Sequence, residues 1–291
     1  MKNILMGCCA LFLAGIDPAL AQTVNLTTKA KWAPASAAVF NGGIGVKIKG
    51  VVENAAIGPA IITNASMSVW TDPSSTLRNI TMEGLFIANT WREGIRVNGK
   101  ADGIKITNFN IAMRAVPQTN DQMPTGIALL AGRNIVLQQG SVSGFKTIAS
   151  GGYDNGDGIA AERGVDNLVI SNVDSSDNTD AGFDLKSSNT ILSGLSASRN
   201  YRNFRIWGKA TADTLTSTDP KNAHVWAGNG AELVIEKLIV RSSTPALILY
   251  VDGAKSVTIK SCEISVPTGT KFIYQATKNS VVTLGKGCSL P

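Results

Sequence analysis

Gly182-Phe183-Asp184-Leu185 repeats the pattern of Gly158-Ile159-Ala160-Ala161 before it and Asn203-Phe204-Arg205-Ile206 after it. Each phrase sets apolar residues two positions apart, the alternation of a short strand with one face turned inward. It recurs at Gly94-Ile95-Arg96-Val97, Gly126-Ile127-Ala128-Leu129, Ala246-Leu247-Ile248-Leu249 and Lys271-Phe272-Ile273-Tyr274. The first apolar members stand at 95, 127, 159, 183, 204, 247 and 272, in steps of 32, 32, 24, 21, 43 and 25. The step of 43 is two coils, with Ala223 and Val225 filling the gap. A companion phrase, Asn, Gly or Ser followed by alternating apolar residues, begins at Asn79, Gly103, Asn134, Asn167 and Ser256.

Strands this short cannot bury a face alone, so coils of just over twenty residues must stack. The predicted fold is all-β, a single-stranded right-handed parallel β-helix over residues 41–291, with Asn in the left-handed turns between sheets. The longer steps leave Arg114 to Thr125 and Phe145 to Asp157 as loops that build a groove on one side. Residues 22–40 form an arm or cap, and Lys29 to Phe40, Ala-rich but broken by Pro34, reads either as a short cap helix or as a loose arm. Cys262 and Cys288 lie 26 apart, about one coil, and are read either as a disulfide or as two packed thiols.

Composition agrees: 29 glycines and 6% aromatics suit turns between short strands rather than a helical bundle, and 44% hydrophobic content excludes wholesale disorder. Lys2, an apolar run from Ile4 to Gly15 and the Ala19-Leu20-Ala21 cleavage pattern mark residues 1–21 as a Sec signal peptide. Leu5-Met6-Gly7-Cys8 resembles a lipoprotein box, but too few apolar residues precede Cys8. The mature chain is therefore expected to be secreted or periplasmic, with no membrane span and no nucleic-acid partner. Its net charge of +6 suits a polyanion, an acidic polysaccharide in that compartment, met by a monomer.

Alternation also gives directions. If Phe183 and Leu185 point in, Asp184 and Lys186 point out; if Phe204 and Ile206 point in, Arg205 and Trp207 point out. Stacking yields one outward row of Arg96, Ala128, Ala160, Asp184, Arg205 and His224, and a second of Asn98, Leu130, Glu162, Lys186, Trp207, Trp226 and Tyr250. Rungs lie about 4.8 Å apart, so Asp184, Arg205 and His224 are expected to touch in succession, and Lys186 to meet Glu162 and Trp207. Trp207, Trp226, Tyr201 and Tyr250 are candidate platforms for sugar rings, with Arg202, His224 and Glu162 as further substrate contacts. Eight acids, from Asp154 to Asp184, crowd 31 positions of a basic chain, which calls for a cation. Asp157 and Asp180 are one rung apart and Asp184 follows, and hard oxygens without His or Cys suggest calcium. The alternative is that these acids cap turns and pair with Arg163, Lys186 and the Arg199, Arg202, Arg205 run.

Asn155-Gly156-Asp157-Gly158-Ile159-Ala160, followed one coil later by Asn178-Thr179-Asp180-Ala181-Gly182-Phe183-Asp184-Leu185, resembles the family 9 pectate lyases, whose DGF-like and NSDDGFDL-like phrases carry calcium ligands. The resemblance covers about residues 150–210. It implies a right-handed β-helix, calcium held by Asp157, Asp180 and Asp184, and β-elimination of a uronate polysaccharide. Ala181 stands where the family has a second Asp, and Asn203-Phe204-Arg205-Ile206-Trp207-Gly208 matches the phrase of the catalytic lysine, so Arg205 takes the place of the base. Guanidinium is a poor general base, and Lys186 is the other candidate. A second resemblance, to the polygalacturonase hydrolases, rests on Asn155 to Gly158, on Asp180 or Asp184, and on Arg205 to Trp207; it lacks the family's histidine phrase. It implies hydrolysis by paired carboxylates. An epimerase, or a glycan-binding or structural solenoid without turnover, completes the alternatives.

Overall fold

A computed structural model describes residues 21–113, 119, 123–148 and 155–289, so all but the last residue of the expected signal peptide lies outside the described residues. Every strand pairing among these is parallel, and they contain no helix. One face of the solenoid stacks Ile44–Ile48, Met67–Thr71, Glu93–Val97, the starts of Thr125–Ser143 and Asp157–Ser176, then Ala181–Leu185, Arg202–Ile206, Ala223–Ala227, Leu247–Val251 and Ile273–Gln275. Thr125–Ser143 and Asp157–Ser176 run on around the corners into the other faces. The fold is the expected parallel β-helix, of about 10 turns.

Its core is a ladder fixed by register. Val46, Val69, Ile95, Ile127, Ile159, Phe183, Phe204, Val225 and Leu249 pair in succession. All are fully buried, and Phe183 and Phe204 stack at 5.3 Å. Removing each such side chain from water contributes about 1.5–3 kcal/mol. The expected ladder of Ile95, Ile127, Ile159, Phe183 and Phe204 is thus continuous, but its later members are shifted. Leu249 and Ile273 take the places expected for Leu247 and Phe272.

The corners follow the Asn pattern. Asn79, Asn134 and Asn167 have φ of 52°, 54° and 52°. Their side chains also bond from rung to rung, Asn79 Nδ2 donating to Asn54 Oδ1 at 3.1 Å and Asn167 Nδ2 to Asn134 Oδ1 at 2.6 Å. Asn tolerates the left-handed region and supplies a donor and an acceptor to its stacked neighbours.

The amino-terminal reading is corrected: residues 29–40 form neither a helix nor a loose arm. Val24–Leu26 pairs with Ile44–Ile48, Lys31–Trp32 with Ala56–Ile57, and Ala38–Val39 with Ala60–Thr63, so the first coil starts ahead of residue 41. Pro34 cannot sit inside a helix, while a further coil satisfies the donors and acceptors of the sheet edge. The expected loops lie largely outside the described residues. Cys262 and Cys288 are joined in a disulfide that ties the last coil down.

Because Asn167 occupies a left-handed turn, Asn167→Ala should lower unfolding free energy by about 1–2 kcal/mol, measured by chemical denaturation. Asn167→Gly, which has no Cβ to strain, should lose less. Equal losses from both would refute the conformational account.

Candidate functional site

Ala160, Asp184, Arg205, Trp226, Tyr250 and Tyr274 form the outward row actually built, each paired in register with the next. Asp184 and Arg205 face outward yet are almost inaccessible, because they cover each other. Arg205 Nε donates to Asp184 Oδ1 at 2.9 Å and its Nη2 lies 2.9 Å from Asp184 Oδ2. Its Nη1 reaches Asp180 Oδ2 at 2.9 Å, and Nη2 stands 3.7 Å from Asp157 Oδ1. The three acids expected to converge do converge, around a guanidinium.

Other donors complete the shell. Arg202 Nη1 lies 2.7 Å from Asp180 Oδ1, Trp207 Nε1 donates to Asp184 Oδ1 at 2.8 Å, and the Ala181 N–H donates to Asp157 Oδ1 at 2.9 Å. Lys186 Nζ is 2.6 Å from Glu162, as the second expected row requires, and 3.4 Å from Asp184. Among these three cations Lys186 reaches solvent best, its side chain 27% exposed against 12% for Arg202 and 6% for Arg205.

Protonation follows from these neighbours. Burial works against the charge of Arg205, but Asp157, Asp184 and Asp180 outweigh it and hold its pKa above the ordinary arginine value. Burial likewise opposes the Lys186 ammonium, and Asp184 and Glu162 overcome it and raise its pKa. Both residues expected as the general base are therefore held toward the protonated form, in which neither offers the lone pair a base needs. Burial, then the Asp184 carboxylate, push Asp157 up to about 8, with Arg205 pulling the other way.

The calcium reading meets a physical obstacle. Calcium takes 6–8 oxygens at 2.3–2.6 Å, whereas both oxygens of Asp180 and of Asp184 already accept from Arg202, Arg205, Trp207 or Lys186, and the guanidinium fills the space between the acids. No group of three or more metal-ligating side chains poised for an ion occurs among the described residues. As folded, Asp157, Asp180 and Asp184 do not fit a calcium ion.

Two expected substrate contacts are also corrected. His224 opposes Asn203 rather than Arg205, is fully buried, and shares a 2.8 Å hydrogen bond with Ser217 Oγ through Nδ1, so it does not line the groove. Burial pushes its pKa down to about 4. Trp226 has no free face for a sugar, because Arg202 lies 4.2 Å over one side and Tyr250 stacks at 3.9 Å and 9° against it. Trp207 lies flat on the backbone at Gly228, where any Cβ would come within 2.1 Å of its ring. That contact aims the indole N–H at Asp184.

Sequence reasoning missed a buried polar chain behind the acids. Asn178 Nδ2 donates to Asn200 Oδ1 at 2.9 Å, Asn200 Nδ2 to Asn203 Oδ1 at 3.0 Å, and Asn203 Nδ2 to Ser217 Oγ at 2.8 Å, ending at His224. It locks the corner from which Asp180 and Arg202 emerge. Asn at 178, 200 and 203, one coil or three residues apart, was the available signal.

In fold, the chain is similar to a double mutant of the periplasmic alginate epimerase AlgG, with a TM-score of 0.52 and 11% identity, covering 92% of this chain and 84% of that one. Endo-xylogalacturonan hydrolase from Aspergillus tubingensis matches at a TM-score of 0.46, 12% identity and 91% of both chains. Pectate lyase Pel9A matches at 0.43 and 11%, over 90% of this chain and 69% of that one. At such identities the likeness shows the fold alone, that of a parallel β-helix. No family model matches the sequence, and no match is found among curated proteins. No helix among the described residues is long and apolar enough to cross a membrane.

A carboxyl held protonated in the folded state contributes its stability at low pH and loses it as pH rises through the folded pKa. With the Asp157 pKa moved from 3.8 to about 8, wild type should lose stability relative to Asp157→Asn as pH rises from 5 to 9. Melting curves of the two proteins that stay parallel across that range would contradict the shift.

Proposed function

We propose that this chain is an exported lyase that cleaves a uronate-containing acidic polysaccharide by β-elimination, with Asp157 as proton acceptor and Lys186 as the cation meeting the sugar carboxylate. The observation that carries this reading is the unequal engagement of the cluster. Arg205 is committed to Asp180 and Asp184, whereas Asp157 is held by one backbone N–H and a guanidinium nitrogen 3.7 Å away. In the step, ionised Asp157 takes the proton α to the carboxylate. The C–H electrons form the ring double bond, the β carbon–oxygen bond breaks, and the departing oxygen takes a proton from solvent. Lys186 stabilises the charge that develops on the carboxylate.

A groove of about 750 Å³ runs along the neighbouring corner, lined by Lys146, Arg199 and Lys221 beside Asp177, Asn178 and Thr179, which lead directly into Asp180. Arg199 is paired with Asp177, and Asp219 is tied to Ser243, while Lys146 and Lys221 form no ion pair among the described residues. They give the groove spare positive charge for a polyanion. The signal-like amino terminus and the net charge of +6 support export and an acidic substrate.

The rival with a specific observation behind it is hydrolysis, because burial and the Asp184 carboxylate raise the pKa of Asp157 to about 8 and so pair it with a neighbouring acid as a proton donor. The two readings differ in sign. With a panel of acidic polysaccharides, the lyase should release products with the ultraviolet absorbance of unsaturated uronides at a rate that rises as pH passes about 8, where Asp157 ionises. Hydrolysis would give saturated products at a rate falling over the same interval. Asp157→Asn should lower kcat by about 10²–10⁴-fold. Lys146→Glu with Lys221→Glu should raise KM and leave kcat nearly intact. Binding without turnover on every substrate would overturn the enzymatic reading in favour of a glycan-binding solenoid.

A further inference from the structure

Asp157, Asp180 and Asp184 gather three carboxylates in a nearly dry pocket, which is costly unless a cation sits among them. Two departures from the lyase-like phrases fall at this spot, Ala181 in place of an acid and Arg205 in place of a lysine. The structure shows them acting together. Ala181 is fully buried and contributes only its N–H, to Asp157, so the cluster carries one carboxylate fewer. Arg205 extends its fork into the centre and meets Asp180 and Asp184 with three nitrogen contacts of 2.9 Å, with Asp157 at 3.7 Å. Arg202 takes the remaining oxygen of Asp180 at 2.7 Å, and Lys186 approaches Asp184 at 3.4 Å. A further divalent ion would have to displace donors already in place and add charge to a cluster holding three cations.

We infer that Arg205 is the permanent, built-in cation of this site, occupying the position the lyase-like phrases assign to calcium, so that the protein is organised without a divalent metal. The inference does not rest on the proposed β-elimination, and Arg205 is here a positioning residue. Its planar fork holds Asp180 and Asp184 at fixed angles, which a spherical ion with exchangeable ligands would not do.

The test is thermal melting and calorimetry on the mature protein with millimolar calcium or with a chelator, for wild type, Arg205→Lys and Arg205→Gln. Wild type and Arg205→Lys, which keep a cation in place, should show the same Tm in calcium and in chelator and no saturable heat of calcium binding. Arg205→Gln should melt lower and recover several degrees in a saturable, calcium-dependent manner, because the vacated carboxylates then accept the ion. Saturable calcium binding by wild type or by Arg205→Lys would overturn the inference. So would an Arg205→Gln protein that folds yet gains nothing from calcium, or one that fails to fold even when refolded in calcium. Each readout is independent of turnover, so an inactive protein would still decide the question.

Discussion

Everything in this molecule depends on the rung spacing of a parallel ladder, about 4.8 Å. At that distance residues one coil apart are obliged to touch, on the inside and on the outside alike. Inside, Phe183 lies on Phe204 and the ladder excludes water. Outside, the same constraint forbids like charges on neighbouring rungs unless something separates them. The row Ala160, Asp184, Arg205, Trp226 obeys it by running from neutral to negative to positive to aromatic. The site is thus a consequence of stacking: an acid on one rung obtains its counter-ion from the next.

The sequence was most legible where two rungs carry the same phrase. Gly158-Ile159, Gly182-Phe183 and Asn203-Phe204 align without ambiguity, so the contacts of Asp184 with Arg205 and of Lys186 with Glu162 could be read from spacing. Ala223-His224-Val225-Trp226 carries no such phrase, and Phe204 pairs with Val225, two residues beyond the Ala223 that alternation offers equally well. A slip of two preserves the parity of alternation, so nothing in the pattern signalled it, yet it exchanges which neighbour is met. His224 shows a second cause. At the start of these strands the chain is still turning, and Asn203 and Phe204 are both buried in succession. Alternation does not hold at a corner, so His224, which opposes Asn203, is drawn inside.

The corner also explains why the interior there is polar. Turning between sheets takes backbone carbonyls out of the ladder, and each left unpaired in the dry core would cost about 1–3 kcal/mol. Asn203 Nδ2 donates to the carbonyls of Ala197 and Thr218, and Asn200 Nδ2 to that of Ser175. Asn is the side chain that can do this while bonding to its own kind on the next rung. Such a chain is rigid because each member is committed on two sides, and Asp180 and Arg202 issue from it. Outside, the aromatic residues serve a similar purpose. Trp226 and Tyr250 spend their faces on each other and on Arg202, which holds the guanidinium against Asp180.

The electrostatics of the cluster then follow from counting charges. Asp180, Asp184 and Glu162 are matched by Arg202, Arg205 and Lys186, each through a contact of 2.9 Å or less. Asp157 is the acid left over. With its side chain 14% exposed and only a 3.7 Å share of the Arg205 guanidinium, it limits its uncompensated charge by keeping its proton. The stacking that neutralises the neighbouring acids is therefore the same arrangement that leaves one carboxyl able to exchange a proton near neutral pH. A guanidinium, with a fixed number of donors in a fixed plane, saturates Asp180 and Asp184 and runs out of hydrogen-bonding reach at Asp157, so the geometry of this cation decides which acid is left without a close counter-ion.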